Sequence, residues 1–215
     1  MTPCGPWPVQ LRWKLGLTSE EYVNQQAWHS ARLNRCPLHP KGGCGFHRLG
    51  TYGRVEPAGA RVPRWYCPKG KQTFSLLADC FAARLPGSLR DIEVVVDEVE
   101  RLGALEVAAH VVRGHDVMLP GAIRWTRRRL NAVRATLVTL IGLMPERFMR
   151  CQPTLASFRH ALGVELVLPA LREIAVDHLA ALPPPVGFAP RRRRVLRRRK
   201  RSQHFTGPDP PRRTR

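Results

Sequence analysis

The sequence predicts a mainly α-helical protein that carries a small β hairpin and ends in a disordered basic tail. Apolar residues recur with a helical period from residue 88 onward, which favours helices in that part of the chain. Residues 35–82 are instead crowded with Cys, His, Gly, Pro and aromatic side chains. Residues 191–215 contain twelve basic residues and one acid, a composition that cannot bury a core.

Charge and composition narrow the classes of function. The 215 residues include 36 Lys and Arg against 16 Asp and Glu, for a formal net charge of +20. This charge excludes an acidic solvating protein and indicates a polyanionic partner, either nucleic acid or an anionic membrane surface. The hydrophobic fraction of 43% suffices for a folded core.

The expected compartment is the cytoplasm. Residues 1–10 hold three prolines and no apolar run, unlike a signal peptide. The longest apolar run, residues 135–144, is half of the roughly 20 residues that a membrane span needs. We therefore expect a cytoplasmic, nucleoid-associated protein without a membrane partner. In a reducing compartment its six cysteines are more typical of metal ligands or buried thiols than of disulfides.

The hairpin is predicted from two short runs rich in β-forming residues. These strands are expected at residues 48–55 and 61–67, and the Glu-Pro-Ala-Gly segment at 56–59 supplies the turn. A two-stranded hairpin is barely stable in water by itself. The segment around it therefore needs a further cross-link.

The helices are predicted from their period and their end signals. Ser88 is a suitable N-cap and Gly103 a suitable stop for the first helix of a three-helix domain. A short helix follows, and Pro120 is well placed as the first residue of the third. A last helix is expected at residues 169–182. Near the N-terminus, Thr18 or Ser19 can cap a further helix.

The chain thus divides into five predicted segments, namely a Pro-rich arm with one helix at 1–34, a hairpin domain at 35–82, a three-helix domain at 88–144, a C-terminal helical segment at 150–183 and a disordered Arg-rich tail at 184–215. The hairpin domain also holds most of the cysteines. The tail is reached through a run of prolines, and it has too few apolar residues to fold.

Cysteines and histidines around the hairpin have the spacing of a zinc site. Thiolate and imidazole are the usual ligands of Zn²⁺, and four of them close a structural site. We predict one structural zinc ion whose ligands are Cys36, His39, Cys44 and Cys67, with His47 and Cys80 as alternates. Gly70 stands where a second Cys-x2-Cys knuckle would place its fourth ligand. The alternative is a loop of buried thiols and surface histidines without metal.

The hairpin domain resembles a known family. Cys36-Pro37, Gly-Thr-Tyr-x-Arg at 50–54 and Arg-Trp-Tyr-Cys-Pro-x4-Thr-Phe-Ser at 64–75 resemble the zinc-ribbon heads of bacterial insertion-sequence transposases and of their accessory proteins. In that group the zinc ribbon is followed by a helix-turn-helix. The resemblance implies DNA binding at the ends of a mobile element.

The third predicted helix carries a one-sided set of polar side chains. Because a helix turns every 3.6 residues, these lie opposite its apolar stripe; they are Arg124, Arg127, Arg128, Asn131 and Arg134. Arg can pair with guanine edges, Asn with adenine edges, and Arg with phosphate. Such a helix suits the major groove, and the order of helices fits a helix-turn-helix-like unit. The alternative is a solvated face of a core helix.

Two other groups of basic residues are candidates for nucleic-acid contact. Arg61 and Arg64 flank Trp65 and Tyr66, whose rings either stack on unpaired bases or form the hairpin's own core. The tail would grip phosphates without reading sequence; its basic residues are Arg191, Arg192, Arg193, Arg194, Arg197, Arg198, Arg199, Lys200 and Arg201.

The sequence predicts a protein without catalytic activity. It shows neither a carboxylate triad for two metal ions, nor a Gly-rich phosphate loop, nor a nucleophile motif. The expected function is a zinc-binding, duplex-DNA-binding protein of a mobile element, with a transposase or a second copy of itself as further partner. The alternatives are an RNA-binding module, a protein-interaction module, and the N-terminal part of a split transposase.

Overall fold

A computed structural model describes residues 9–114 and 119–190 of the chain. The strands of its single sheet are β1 (Val9–Trp13), β2 (His47–Gly53), β3 (Arg61–Cys67) and β4 (Gln72–Ala78). The helices are α1 (Ser19–Asn24), α2 (Leu89–Leu102), α3 (Leu105–Arg113), α4 (Leu119–Leu143), α5 (Pro145–Phe148), α6 (Leu155–Leu162) and α7 (Val167–Ile174), with short 3-10 helices at Ala27–His29 and Val176–His178. We call residues 9–81 the sheet region, and the described residues from 88 to 190 the helical region. A mainly α fold with a small β part is therefore confirmed.

The sheet is larger than the predicted hairpin. Its strand order is β1-β4-β3-β2, with β1 parallel to β4 and the other neighbours antiparallel. β2 and β3 are the predicted hairpin strands. The sequence analysis missed β4, whose apolar residues run together without alternation. It also missed β1, because a parallel edge strand is paired only through contacts distant in sequence.

The segment between β1 and β2 covers one end of the sheet. Thr18 caps α1 through a capping box with Glu21, which confirms the predicted N-terminus. The helix stops early, because Gln26 lies in the left-handed region with a φ of 47°. The buried Tyr22 donates a hydrogen bond of 2.7 Å to the Arg61 carbonyl, and this bond fixes α1 to β3.

Helices α2, α3 and α4 occupy the three predicted positions and pack on one another. Ser88 caps α2 and accepts a 3.0 Å hydrogen bond from the Asp91 amide. Gly103 ends the helix with a φ of 65°, which glycine adopts without strain. Among the described residues, no helix combines the length and the apolar character that a bilayer crossing requires.

The C-terminal part differs from its prediction. In place of one helix at 169–182, the structure has α7 followed by a 3-10 turn, and it also has α6, which was not predicted. The N-terminus of α7 is capped from outside by Glu93, which accepts hydrogen bonds of 2.7 and 2.9 Å from the amides of Val167 and Leu168. A cap supplied from another helix leaves no local signal, so the sequence analysis misplaced the boundary.

The start of the predicted tail is packed. Val186 is fully buried in the helical core, and Phe188 packs against it, so residues 184–190 belong to the folded part. The proline run was predicted to be a linker. It instead leads directly into Val186 and Phe188, two apolar side chains that pack in the helical core. The rest of the predicted tail, residues 191–215, lies outside the described residues.

The buried Arg172 and the half-buried Arg54 tie the sheet region to the helical region and to the segment between them. Arg172, on α7, donates hydrogen bonds to the carbonyls of Asp79, Phe81, Pro185 and Val186. Burial lowers the pKa of its guanidinium to about 10. Arg54, which follows β2, donates to the carbonyls of three residues between 82 and 87. These bonds fix the position of α2 and α7 against the sheet.

Candidate metal centre and nucleic-acid interface

Four side chains of the sheet region come together as a group that can hold one metal ion. Their ligand atoms all lie within 4.8 Å of one another, and they belong to Cys36, His39, Cys44 and Cys67. The first three come from the loop before β2, and Cys67 is the last residue of β3. All three thiols are buried, and no disulfide joins the five cysteines of the described ranges. This is the ligand set predicted from the sequence.

The ligand atoms converge on the Nδ1 atom of His39. It lies 3.7 Å from the Cys36 sulfur and 3.4 Å from the Cys67 sulfur. Burial raises the pKa of the Cys36 thiol, but hydrogen bonds with His39, with the backbone of Leu38 and with Cys67 outweigh burial and lower this pKa to about 7. Burial and the bonds with Cys36 and Cys67 raise the pKa of Cys44. A cation at the centre would favour the thiolate form of all three.

Gly70 stands where the second knuckle would carry its fourth ligand. A side chain there would place its Cβ 3.4 Å from the Cys67 sulfur and 2.6 Å from Cδ1 of the exposed Leu38. The position therefore lies beside the cluster, but glycine offers no side-chain ligand. Its backbone N–H instead donates a hydrogen bond of 3.3 Å to the Cys67 sulfur. The ligand missing from position 70 is replaced by Cys44 from the opposite loop.

The two alternate ligands lie outside the cluster. His47 is exposed, and its Nδ1 is 2.8 Å from the Gly45 carbonyl oxygen. Cys80 lies at the far end of β4, where burial raises the pKa of its thiol to about 12. His47 and Cys80 were predicted as alternates because Cys and His residues are frequent in this part of the sequence. In the folded chain both side chains lie outside the four-residue cluster.

Helix α4 presents the predicted polar face to solvent. The five residues of this arginine face are all exposed, and they are Arg124, Arg127, Arg128, Asn131 and Arg134. At about 100° per residue they span about 120° of the helix. The buried residues of α4 lie on the opposite side, and they include Leu130, Val133, Leu137 and Leu140. The apolar side fixes the helix to the core and leaves this face available.

One arginine of the same run has a different role. Arg129 is 4% exposed, and its Cζ lies 3.4 Å from the centroid of the Trp125 ring. It donates hydrogen bonds of 3.2 Å to the Pro86 carbonyl and 3.4 Å to Glu56. Burial lowers the pKa of Arg129 to about 10. The helical period places residue 129 on the apolar side, which could have distinguished it from its neighbours.

The remaining predicted contacts are split between two faces of the sheet. Trp65 is buried at 5% exposure, so its ring belongs to the core and cannot stack on a base. Tyr66 and Arg64 are half-buried, and Arg61 is exposed and donates a 2.8 Å hydrogen bond to Thr51. The tail residues from Arg191 to Arg201 lie outside the described ranges.

The acids of helix α2 are engaged in structural contacts. Glu93 is buried, and Arg159 donates a 3.0 Å hydrogen bond to it in addition to the two amides of α7. Glu100 accepts hydrogen bonds from the two amides that begin α6, at 2.9 and 3.2 Å. Asp97 pairs with Arg159 at 2.7 Å. Of the later acids, Glu173 pairs with Arg12 and Lys14 across the two regions.

Comparisons with protein families, with curated proteins and with solved structures found no match to this chain. Its functional interpretation therefore rests on the two sites themselves. They belong to different regions of the molecule, one at the end of the β2–β3 hairpin and the other on the outer side of α4.

Proposed function

We propose that this chain is a zinc-stabilised protein that binds duplex DNA and has no catalytic role of its own. The observation that carries the proposal is the arginine face of α4, which is exposed along its whole length and opposite the buried stripe. The metal centre supports the proposal indirectly, because it stabilises the sheet against which α4 is held through Arg129 and Glu56.

Zinc is the metal that best suits the four ligands. Three thiolates and one imidazole form a common structural zinc set. With Zn–S near 2.3 Å and Zn–N near 2.0 Å, a tetrahedral ion places sulfur and nitrogen about 3.5 Å apart. The two sulfur–nitrogen distances to His39 are 3.4 and 3.7 Å. Zinc bound there supplies folding energy rather than a reactive centre, because four protein ligands leave no open position.

Duplex DNA is the ligand that best suits the arginine face. An α-helix fits the width of the major groove, where guanidinium and amide groups can reach base edges and phosphates. α4 has 25 residues and carries no acid, so no carboxylate on the helix itself forms an ion pair with these arginines. The helices α2 and α3 pack behind it, as the first helices of a helix-turn-helix do.

The link to a mobile element is supported by the sequence resemblance of the hairpin domain. Two parts of that phrase support the resemblance: Cys67 is one of the four candidate ligands, and Phe74 packs against the cluster. On this proposal the protein binds DNA at the ends of a mobile element, beside a transposase. The first experiment therefore tests whether it binds DNA.

The decisive experiment measures duplex affinity by fluorescence anisotropy at several salt concentrations. We expect the variant Arg124/Arg127/Arg128→Ala to lose at least about tenfold in affinity, and to lose up to about three units of the salt slope. The matched control is Arg90/Arg147/Arg150→Ala, which removes the same charge from exposed positions elsewhere. Equal losses in the two variants would show that only net charge matters, and would overturn the assignment to α4.

A further inference from the structure

The sheet has a second, half-open side that the duplex-binding proposal does not use. Strand register places a set of residues on this side, because residues directly opposite one another in paired strands share a face. In one row across the sheet, Tyr66 of β3 lies between His47 of β2 and Thr73 of β4. In the next row, Ser75 of β4 lies between Arg64 of β3 and Gln10 of β1. We call this the open face and define it by Gln10, His47, Tyr52, Arg64, Tyr66 and Thr73. His47 is exposed, and the other five are half-buried. Trp65 and Phe74 point to the other, buried side.

Flat side chains are spaced along the open face. The Tyr66 ring meets the His47 ring edge-on, with centroids 6.0 Å apart. The Arg64 guanidinium lies over the Tyr52 ring, with its Cζ 5.5 Å from the centroid. Tyr66 and Arg64 are two residues apart on β3, which separates them by about 6.6 Å along the strand. Aromatic rings and guanidinium planes on a sheet are the surfaces on which unpaired bases stack.

Two polar atoms of the open face have no partner. Within the described residues, Nε of Arg64 and Oε1 of Gln10 are buried and lack a hydrogen bond. Buried polar groups are nearly always paired, so each such atom needs an explanation. One atom is a donor and the other an acceptor. The exposed edge of an unpaired base offers both kinds of group, whereas a paired base keeps its Watson–Crick edge occupied.

The charge around the open face suits a polyanion. From Tyr22 to Ala78 the chain has nine Lys and Arg and a single acid, Glu56. That acid faces the helical region, where it pairs with Arg129. Lys69 and Lys71 are exposed in the turn between β3 and β4, next to the strand ends that carry Tyr66. Lysines at the rim can contact phosphates while the rings hold the bases.

We propose that the open face binds single-stranded nucleic acid, with Tyr66 and the Arg64–Tyr52 pair stacking on unpaired bases. Arg64 and Gln10 contact base edges after their side chains reorient, since Nε and Oε1 are buried in the free protein, and the two rim lysines contact the backbone. The bases of a duplex are stacked inside it and cannot reach this face, so the site is distinct from the arginine face of α4. The inference does not rest on duplex binding.

The test separates bases from backbone. Fluorescence anisotropy compares the full-length protein's affinity for a labelled 12-residue oligo-dT with that for an abasic deoxyribose-phosphate strand of equal length and charge. We expect the oligo-dT to bind more tightly, on the order of 10- to 100-fold for each stacked base. Both strands share the salt-dependent contacts of the basic residues, so the ratio isolates stacking. Equal affinity for the two strands would overturn the proposal, whatever any variant does.

Variants locate the effect on the sheet. Tyr66→Ala and Tyr52→Ala should each reduce the preference for oligo-dT, whereas the matched variant Tyr66→Phe keeps the ring and should preserve it. Each variant is first checked for unchanged helix content and metal content. Folded Ala variants that keep the full preference would refute the assignment. An oligo-rU arm tells whether RNA or DNA is preferred, and tight binding of either strand supports a site for unpaired bases.

A last comparison distinguishes the two nucleic-acid sites. Arg124/Arg127/Arg128→Ala should leave the ratio of oligo-dT to abasic affinity unchanged, and Tyr66→Ala should leave duplex affinity unchanged. If the arginine variant alone removes the base preference, then bases are held by α4 and the open face is not the site. Failure of duplex binding would not alter the result expected for the single strand.

Discussion

In the helical region nineteen buried side chains form one continuous cluster together with Ala82, whereas the sheet region divides its buried side chains among three smaller clusters. One of these consists of Cys36, Cys44, Cys67 and Phe74, so three of its four members are candidate metal ligands. The free energy gained by burying apolar side chains is roughly proportional to the area removed from water, so a small cluster contributes little to stability. On the proposed function, the helical region is stabilised by its core, and the sheet region gains additional stability from the metal.

Metal removal should have the largest effect, and it should act on one region first. Structural zinc contributes about 10–16 kcal/mol of apparent binding free energy in small domains, which is comparable with the whole stability of a protein. We expect Cys67→Ser, or a strong chelator, to abolish metal binding and most of the near-ultraviolet circular dichroism contributed by the sheet-region tryptophans Trp13, Trp28 and Trp65, while most far-ultraviolet helical signal remains. Metal analysis and both spectra measure this.

The control for metal removal is Cys151→Ser, since Cys151 is a half-buried cysteine of the helical region and lies outside the cluster. It makes the same chemical change and should keep one metal per chain. A metal-free protein with an intact near-ultraviolet spectrum would show that the sheet region folds by itself, and the comparison between the regions would then break down.

A cavity in the helical core should have the reciprocal effect. Phe158 is fully buried and its ring centroid lies 4.9 Å from that of Phe148. Phe158→Ala should lower the free energy of unfolding by about 3–5 kcal/mol, measured by urea denaturation of the far-ultraviolet signal. Val94 is exposed, and Val94→Ala on the same region should change it by less than about 0.5 kcal/mol. Loss of metal from folded Phe158→Ala would contradict the separation of the two stabilising mechanisms.

The link between the regions should be sensitive to Arg172. Its guanidinium is the shared hydrogen-bond donor for four backbone carbonyls in both regions. Arg172→Ala leaves buried acceptors unpaired and should cost about 3 kcal/mol. Calorimetry should then resolve separate transitions for the sheet and helical regions.

Arg172→Lys sharpens this prediction. Lysine keeps the charge but lacks the planar fork, so it can satisfy only some of the four carbonyls. We expect a loss of stability between those of wild type and Arg172→Ala. If both variants unfold in a single transition with wild-type stability, the coupling between the regions comes from apolar contacts instead.

Local signals were sufficient for several parts of the fold. Ser88, Gly103 and Thr18 mark helix ends because capping depends on side chains within three residues of the cap. The strands of the hairpin were predicted because a turn and two β-forming runs lie next to one another. The ligand set was predicted because three of its four members, Cys36, His39 and Cys44, are close in sequence.

Contacts distant in sequence explain what was missed. β1 pairs with a strand more than 60 residues away, and α7 receives its N-terminal cap from Glu93 on α2. The burial of Val186 depends on the same long-range packing. None of these contacts leaves a pattern within a short window of sequence, because each partner is ordinary in its own neighbourhood.

The sequence by itself determined the cationic character of the chain, the helical period with its arginine face, and the spacing of Cys and His. These properties depend only on composition and on neighbours within one or two turns. Tertiary structure alone decided that Arg172 is buried, that His47 and Cys80 lie outside the candidate metal cluster, and that Tyr66 and Arg64 share a face opposite Trp65. Strand register and helix packing set these arrangements, because they bring together residues whose separation along the chain carries no information about their distance in space.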